Sequence, residues 1–472
     1  MKTSLVAGCS AVRFASLAAV APLVALSFAL FFGGVAQAGD RVADDTAKGF
    51  DGAGYKLLTT KAFLPPDFDQ QTFDNLWQVW EEPLRTEAET ATPDERRAMA
   101  FARYGLTSAP GDASGKPQQY IVDAAGNWTM TCLACHQGKV AGQPVAGAPN
   151  SLFALQTLTD DVRNVKLKLR KQLTRMDLGS AIIPLGTTNG TTNAIIFGVA
   201  LMANRTPDLK VVPGLPPRMV HHDHDAPPWW NFKKKERLYS DGFAEKGHRP
   251  LMQFMLIPEN GPEKFAEWEN DFRVVYDWLS SLEAPKYPYE IDRALAQRGA
   301  AVFNANCSDC HGTYGAQAAY PNKIVSIEEV GTDPARLSAL TAHHRQGYEA
   351  SWFAHFGEHK VVADPGGYVA PPLDGIWASA PYFHNGAVPT LWHVLHPAER
   401  PAVWTRSADG YDRERVGLEA TAHARVPETA AGPQLRTFFD TSKFGKSAAG
   451  HTFPDALSDT EKREVLEYLK TL

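Results

Sequence analysis

Two short clusters of cysteine and histidine carry the clearest chemistry in this sequence. Residues 132–136 read CLACH and residues 307–311 read CSDCH, so each cluster has two cysteines three positions apart with a histidine directly after them. Thiols at i and i+3 fall on one face of a helical turn, where they can add to the two vinyl groups of one haem while the adjacent imidazole binds iron. The sequence therefore predicts two covalently bound haem c groups, with Cys132, Cys135, Cys307 and Cys310 as attachment points and His136 and His311 as proximal ligands.

Other uses of these cysteines explain the pattern less well. The chain has five cysteines, and apart from Cys9 near the N-terminus all of them belong to the two clusters. Two disulfides or a redox-active CxxC pair would use the thiols but would not require His136 or His311. A zinc site would need further cysteine or histidine ligands at suitable spacing, and the sequence around residue 132 supplies none.

The N-terminus has the layout of a cleavable secretory signal. Lys2 and Arg13 precede an apolar stretch over residues 14–32, and Ala36-Gln37-Ala38 follows as a small-residue cleavage site. We expect residues 1–38 to be a signal peptide, which removes Cys9 and sends the mature chain to the periplasm. The apolar stretch approaches the length of a membrane span, so an uncleaved anchor is the alternative interpretation.

The composition indicates a folded protein that does not bind nucleic acid. The chain has 472 residues, 44% of them hydrophobic, which is enough for two or three domains. The formal net charge is -6, and no basic run is longer than Lys233-Lys234-Lys235. A nucleic-acid surface would need a stronger basic patch.

Two similar helical segments divide the mature chain into two haem modules. VYDWLSSL at 275–282 and VLEYLKTL at 465–472 share valine, aromatic and leucine positions, and each ends a stretch that contains one CxxCH. The modules are predicted over 39–285 and 286–472, joined at EAPKYPYE. The expected fold class is mainly α, with two cytochrome c-type haem modules in tandem and loop-rich extensions.

The second module has further helix signals. Leu295, Gly299 and Phe303 share one face of a helix that leads into CSDCH, in a way that resembles a class I cytochrome c. In such a fold this helix would cross the last helix, with Gly299 allowing close approach. Ser458, followed three positions later by Glu461, predicts a capping box at the start of that last helix.

The second axial ligands differ between the two haems. All 15 histidines lie at or after residue 136, and between His136 and His221 there is none. We expect the first haem to be five-coordinate or to hold an exchangeable ligand, although His221, His222 or His224 could supply an imidazole. An open iron position suits dioxygen or peroxide chemistry, whereas electron carriers usually keep both positions filled.

The second haem is expected to have two histidine ligands. No methionine occurs after Met255, so the usual His/Met pair cannot be completed within the second module. The main candidates for the second imidazole are His384, in APYFHNG, and His451, in AAGHTF. The remaining histidines of this region form a wider pool: His343, His344, His355, His359, His393, His396 and His423.

Several longer segments resemble the bacterial dihaem cytochrome c peroxidase superfamily, and within it the rubber oxygenase-like branch of dihaem dioxygenases. The resemblance spans most of the mature chain and is carried by both CxxCH sites and by the segments GTTNGTTNAIIFG (186–198), PPWWNFKKKERLYSDGF (227–243), YPNKIVSIEEVGTDPARL (320–337), PPLDGIWASAPYFHNGAVPTLWHVL (371–395) and GHTFPDALSDTEKREVLEYLKTL (450–472). The APYFHNGAVPTL piece is typical of the whole superfamily. The GTDP stretch and the histidine shortly before the last helix are more similar to the oxygenase branch.

The resemblance implies roles for individual residues. It assigns His451 to the distal position on the second haem and places His384 in the pocket near the haems. Trp229 and Trp230 would lie near the first haem or between the haems, although plain core packing is the commoner role of tryptophan. Phe243, with Ala194 and Ile195, would line an apolar distal pocket suited to an alkene or a fatty acyl chain. The catalytic residues would then be His136, Trp230, Phe243 and His384.

Two classes of function follow from these expectations. The first is an oxidoreductase that activates dioxygen or hydrogen peroxide at the first haem while the second haem transfers electrons. As a peroxidase it would take electrons from a small periplasmic redox protein, and as a dioxygenase it would act on an unsaturated hydrophobic substrate. The alternative is a dihaem electron carrier with no substrate of its own, in which both irons would be six-coordinate.

Overall fold

The computed structural model describes residues 49–193, 222–339, 341–355 and 359–472, together with residues 206, 208 and 210. The predicted signal peptide and the segment containing Ala194, Ile195 and His221 lie outside the described residues. The fold is mainly α, as expected, with 41% of residues in helices and 12% in strands.

Helices provide most of the regular structure. Their bounds are α1 Ala53–Thr60, α2 Gln70–Asp74, α3 Leu84–Thr90, α4 Pro93–Tyr104, α5 Leu133–His136, α6 Leu155–Lys168, α7 Arg175–Ile182, α8 His248–Leu251, α9 Pro262–Ser281, α10 Arg293–Asn306, α11 Ser308–His311, α12 Ile327–Val330, α13 Ala335–Ala339, α14 Ala342–Glu349, α15 Leu391–Leu395 and α16 Asp459–Leu469. Short 3-10 turns occupy Leu76–Val79, Trp229–Lys234, Met252–Met255, Ile376–Ala378, Pro397–Glu399, Gly432–Thr437 and Phe453–Ala456.

The strands pair antiparallel. All of them are short except β12 and β13, which form one long hairpin. Their bounds are β1 Phe68–Asp69, β2 Tyr120–Val122, β3 Asn127–Met130, β4 Lys139–Val140, β5 Gln143–Pro144, β6 Thr191–Thr192, β7 His224–Asp225, β8 Arg237–Leu238, β9 Ala244–Glu245, β10 Ile324–Val325, β11 Tyr368–Val369, β12 Val403–Asp412, β13 Gly417–His423 and β14 Phe439–Asp440. Two sheets have three strands, in the orders β1-β3-β2 and β13-β12-β14, and the other pairs are β4-β5, β6-β7, β8-β9 and β10-β11.

The β12-β13 hairpin is the longest strand pairing, and the sequence does not predict it. Its register shifts between Arg406 and Tyr411, so the buried positions do not alternate regularly along β12. The segment between them, SADG, contains residues typical of turns. A strand with such an irregularity lacks the period-two pattern by which strands are recognised in sequence.

Two helix crossings in the core have the same local design. At the crossing of α10 and α16, a Cβ added to Gly299 would lie 1.9 Å from the carbonyl oxygen of Glu464. At the crossing of α1 and α9, a Cβ added to Gly54 would lie 3.0 Å from the carbonyl oxygen of Val274 and 2.4 Å from the Cβ of Trp278. In both places only glycine lets the two helices come this close.

The two crossings also match in sequence position. Val274 and Glu464 each directly precede the valine that opens the repeated segments VYDWLSSL and VLEYLKTL. Four residues after the crossing glycine, Leu58 and Phe303 both line the central cavity described below. The repeat therefore has the same spatial role at both crossings.

Helices α10 and α16 both begin at a capped residue, and the sequence predicts the cap of α16. Ser458 and Glu461 form the expected capping box, in which the Ser458 backbone N–H donates to the Glu461 carboxylate at 2.8 Å and Ser458 Oγ accepts from the Glu461 N–H at 3.3 Å. Asp292 caps α10 by accepting from the Leu295 N–H at 2.9 Å.

The hydrophobic core is continuous across the predicted boundary at residue 285. One cluster contains buried residues from both sides of it, including Trp230, Phe272, Phe303, Trp377 and Val465. A second cluster lies in the first half, where Phe73 stacks on Trp128 with ring centres 4.2 Å apart. The linker is tied down as well, because the Trp377 indole N–H donates to the Pro285 carbonyl at 2.8 Å.

Candidate functional site

A single large cavity brings the two CxxCH clusters together. Its volume is about 1320 Å³, and its wall includes the cysteines and histidines of both clusters. Pockets for one small ligand measure about 300–1,000 Å³, so this cavity is larger than one such ligand needs. Apolar side chains from α1, α9, α10 and α16 form much of the wall, among them Leu58, Val275, Leu279, Phe303, Val465 and Leu469.

The first CxxCH lies on a single helical turn, α5, which starts directly after Cys132. Cys132 and Cys135 are free thiols in the cavity wall. Burial raises the pKa of Cys132 to about 11 and that of Cys135 to about 12, so both thiols are protonated at neutral pH. The two thiols are not joined in a disulfide, and both residues line the cavity.

The imidazole of His136 is held in one tautomer. Its Nδ1 lies 3.1 Å from the carbonyl oxygen of Pro227, and because a carbonyl can only accept, Nδ1 carries the proton. Burial lowers the pKa of His136 to about 4. The ring is therefore neutral with Nε2 unprotonated, which is the form that binds iron.

The second CxxCH has the same arrangement on α11. His311 Nδ1 lies 2.9 Å from the carbonyl oxygen of Pro371, and burial lowers the pKa of this imidazole. Burial likewise raises the pKa of Cys307 to about 11. Pro227 and Pro371 are each the first proline of an Ala-Pro-Pro sequence, at 226–228 and 370–372. This repeated tripeptide is a signal in the sequence that could have identified both hydrogen-bond acceptors.

His451 faces His311 across the cavity. Their ring centres are 6.1 Å apart with an angle of 59° between the ring planes. Metal bonds to imidazole nitrogen are about 2 Å long, so two imidazoles on opposite sides of one iron have ring centres roughly 6 Å apart. Burial lowers the pKa of His451 to about 3, and its Nδ1 is buried without a hydrogen-bond partner. The pair fits an iron held between two neutral imidazoles.

The surroundings of His136 are different. Its ring stacks on Trp229, with ring centres 4.5 Å apart and an interplanar angle of 18°. Within the described ranges His136 makes no ring contact with a second imidazole. Trp230 is fully buried and its indole N–H donates to the Asp374 carbonyl at 2.7 Å. The structure thus brings Trp229 against the imidazole, while Trp230 packs in the core behind it.

His384 lies in the cavity wall away from His311. Its ring stacks on Tyr368 with centres 4.3 Å apart, and the ring of His224 is 6.2 Å away. Burial lowers the pKa of His384 to about 3, with the nearby charges of His222 and Arg336 acting in the same direction. His384 is therefore a neutral side chain of the cavity wall, and among the described ring contacts it has none with His311. Its role in the site stays a prediction.

Phe243 also lines the cavity, between Tyr239 and Tyr348. Its ring centre is 5.9 Å from that of Tyr239 and 5.8 Å from that of Tyr348. Ala194 and Ile195, which the resemblance groups with Phe243, lie outside the described residues. The aromatic part of the expected apolar pocket is present, and a catalytic role for Phe243 stays a prediction.

The residues present fit two covalently attached haems. Each CxxCH contributes two free thiols and an imidazole whose proton is held on Nδ1 by a backbone carbonyl. The cavity between them is apolar, as a porphyrin requires, and one of the two proximal imidazoles faces a second imidazole. In the part of the chain that the structure describes, no group of three or more histidine, cysteine or acidic side chains is arranged to hold a bare metal ion.

Comparison with protein families agrees with this chemistry. Residues 294–358, which include the cluster at 307–311, match the family described as cytochrome C oxidase, cbb3-type, subunit III. Residues 367–405, which include Pro371 and His384, match the family described as RoxA-like, cytochrome c-like. The two matches lie in the second half of the chain and support a cytochrome c family there. Cytochrome c domains bind haem c covalently, so the matches support haem binding and electron transfer.

Two curated relatives come from Sinorhizobium fredii, and both are described as uncharacterized. The protein y4iM is 31% identical in an alignment of 292 positions that covers 52% of this chain and 64% of the relative. The protein y4iJ is 29% identical in an alignment of 260 positions that covers 41% of this chain and 42% of the relative. The chain thus spans less than two thirds of the length of either relative. Among the described residues, no helix has both the length and the apolar character needed to cross a membrane.

Proposed function

We propose that the chain is an exported, periplasmic oxidoreductase with two haem c groups. In this proposal residues 1–38 are the signal peptide, the first haem activates dioxygen or hydrogen peroxide, and the second haem transfers electrons. His136 and His311 are the proximal ligands, and His451 is the distal ligand of the second haem.

The observation that carries the proposal is the difference between the two proximal histidines. His311 faces His451 at the separation expected for two ligands of one iron. His136 stacks on Trp229 instead, and in the described part of the chain no imidazole faces it. An iron with an open position can bind a small molecule, whereas an iron with two imidazoles is suited to electron transfer.

Two tandem haem modules, 39–285 and 286–472, are supported by the repeated local geometry. The crossing glycines Gly54 and Gly299 meet the main chain at equivalent positions of the repeated helices. The acceptors Pro227 and Pro371 stand at equivalent positions of the Ala-Pro-Pro sequences. The two halves then share one cavity instead of enclosing two separate ones.

The chain's own residues prepare the site for this chemistry. When bound, haem c supplies an iron that exchanges electrons and, with an open position, takes up dioxygen or peroxide. The carbonyl of Pro227 keeps the proton of His136 on Nδ1 and so presents Nε2 to the cavity. Burial keeps His384 neutral beside the site, and the apolar wall excludes water.

The character of the wall bears on the substrate. Large apolar side chains such as Phe243, Leu251 and Phe254 line the cavity, and Phe254 is also 45% exposed at the surface. An unsaturated hydrophobic substrate would be bound by such a wall through removal of its apolar surface from water. The proposed reaction is therefore oxygenation of such a substrate, with reduction of peroxide by a small redox protein as the second reaction to be assayed.

Replacing His136 by alanine tests the role of the first haem. We expect His136→Ala to abolish oxygen uptake with an unsaturated fatty acid and peroxide-dependent oxidation of a reduced small cytochrome, while the low-spin spectrum of the second haem is unchanged. His343→Ala, at an exposed histidine of α14, is the control and should keep full activity. If His136→Ala retained its turnover, the first haem would not be the catalytic one.

A further inference from the structure

One partly buried arginine, Arg400, is connected to the segment that carries His451. We define the strap as residues 448–451, which precede the 3-10 turn Phe453–Ala456. The guanidinium of Arg400 makes five hydrogen bonds to backbone carbonyls, one for each of its N–H donors. These bonds run from Nε to His393 O at 2.9 Å, from Nη1 to Ala448 O and Gly450 O at 2.7 Å each, and from Nη2 to Val394 O and His451 O at 3.4 Å each.

Arg400 therefore ties the strap to helix α15. Two of its acceptors, His393 and Val394, belong to the last turn of α15, and the other three belong to the strap. The last carbonyls of a helix have no partner within the helix, and a basic side chain there satisfies them. One side chain thus performs two tasks, and its two shortest bonds are those to Ala448 and Gly450 of the strap.

The strap needs such an external support because its backbone conformation is unfavourable. The backbone angle φ is +47° at His451 and +78° at Gly450. There is no room for a Cβ at Gly450, because it would lie 2.2 Å from the carbonyl carbon of Gly331. The left-handed region is unfavourable for a residue that carries a Cβ. The strap has one further support in addition to the bonds from Arg400: the His451 N–H donates to the Val330 carbonyl at 2.6 Å.

The charge of Arg400 also lies close to the proposed ligand. The guanidinium is 4.9 Å from the ring centre of Phe383, and that ring is 6.0 Å from the ring of His451. Burial lowers the pKa of Arg400 to about 10, which leaves it cationic at neutral pH. Among the described residues no carboxylate forms an ion pair with it, although the charge of Asp455 partly offsets the effect of burial.

We propose that Arg400 is a positioning residue for the second haem: its guanidinium holds the strap so that His451 stays on the iron, and its positive charge raises the reduction potential of that haem. A cation near the iron disfavours the more positive ferric form. The proposal rests on the ligation of the second haem by His451 proposed above.

The test compares Arg400→Met and Arg400→Lys by low-temperature EPR and by redox titration of the holoprotein. We expect Arg400→Met to raise the high-spin fraction of the second haem by about tenfold or more, because the strap is released. The reduction potential of the second haem should fall. Added imidazole should return this haem to low spin. Arg400→Lys keeps the charge without the planar fork. It should therefore show the spin change with a smaller change in potential.

Arg413→Met is the matched control. Like Arg400, Arg413 has its guanidinium over an aromatic ring, 3.9 Å from the ring centre of Tyr289, but it donates no hydrogen bond to the strap. It should leave spin state and potential unchanged. The absorbance of the first haem checks that each variant is folded, and if Arg400→Met does not accumulate, Arg400→Lys carries the test. A second haem that stays low-spin with unchanged potential in the Arg400 variants would overturn the proposal.

His451→Ala separates this proposal from the function it rests on. If His451→Ala leaves the second haem low-spin, the ligand assignment is wrong, and the role of Arg400 is lost with it. If His451→Ala becomes high-spin while the Arg400 variants do not, only the positioning role is refuted.

Discussion

At the scale of single residues, the two proximal histidines are oriented by backbone and not by side chains. His136 and His311 each donate from Nδ1 to the carbonyl of the first proline in an Ala-Pro-Pro sequence. A carbonyl acceptor fixes the tautomer and the ring orientation without introducing a charge. A substitution of the proline side chain leaves the carbonyl in place, so these acceptors are robust to mutation in a way that a carboxylate partner would not be.

The distal ligand of the second haem gives the most direct prediction at this scale. We expect His451→Ala to convert the second haem from low-spin to high-spin, because the ring that faces His311 is removed. The visible and EPR spectra of the ferric protein measure this change. His384→Ala is the control, since its ring stacks on Tyr368, and it should leave the second haem low-spin. The opposite pattern in the two variants would move the ligand to His384.

At the scale of helices, the crossing of α10 and α16 depends on Gly299. We predict that Gly299→Ala lowers the free energy of unfolding by about 1–3 kcal/mol, because the added Cβ overpacks a backbone contact. The contact is the one at 1.9 Å from the Glu464 carbonyl. Chemical denaturation of the holoprotein, followed by haem absorbance, measures the change.

Gly347→Ala is the matched control for this substitution. Gly347 also lies within a helix, α14, but a Cβ there meets nothing within 4 Å. Alanine should therefore stabilise the protein by about 0.5–1 kcal/mol through helix propensity alone. A loss of stability at Gly347 equal to that at Gly299 would contradict the role assigned to the crossing.

The sequence predicts those elements whose signals are local. The capping box of α16, the helix that leads into CSDCH and the close approach at Gly299 all follow from short patterns, and the structure confirms them. Helix α1 is the counterpart of α10 but is not predicted as such. It ends at Thr60, far from Cys132, because strands β1 to β3 and helices α2 to α4 lie between, whereas α10 ends directly before Cys307.

The same distinction holds within the site. The CxxCH spacing is a local chemical requirement, so the thiols and proximal histidines can be read from five residues each. The contacts of Pro227, Trp229 and Arg400 join positions that are distant in sequence, and nothing local reveals them. The Ala-Pro-Pro repeat is visible when the two halves of the sequence are compared, whereas no sequence pattern reveals the contact between Arg400 and the strap.

At the scale of the whole molecule, the proposed haems would occupy the centre of the core. The cavity of about 1320 Å³ is lined mainly by apolar side chains from both halves of the chain. Without haem these side chains would be exposed to water, and the hydrophobic stabilisation that comes from their burial would be lost. Stabilities of folded proteins are only about 5–15 kcal/mol, so such a loss would be large beside the total.

We therefore predict that the haem-free chain loses its native packing. Replacing all four cluster cysteines by serine prevents covalent attachment and should abolish the near-UV circular dichroism and the resistance to limited proteolysis. Variants of one pair, Cys132→Ser with Cys135→Ser or Cys307→Ser with Cys310→Ser, should each lose one covalent haem by mass spectrometry. A fourfold variant with the native spectrum and protease resistance would show that the core does not depend on haem.

The two proposed irons differ in coordination, and low-temperature EPR of the ferric protein as isolated tests this difference most directly. We expect one high-spin and one low-spin signal of equal integrated intensity, with the high-spin signal alone changing when one equivalent of hydrogen peroxide is added. Two low-spin signals that peroxide leaves unchanged would refute the difference and would identify the chain as an electron carrier.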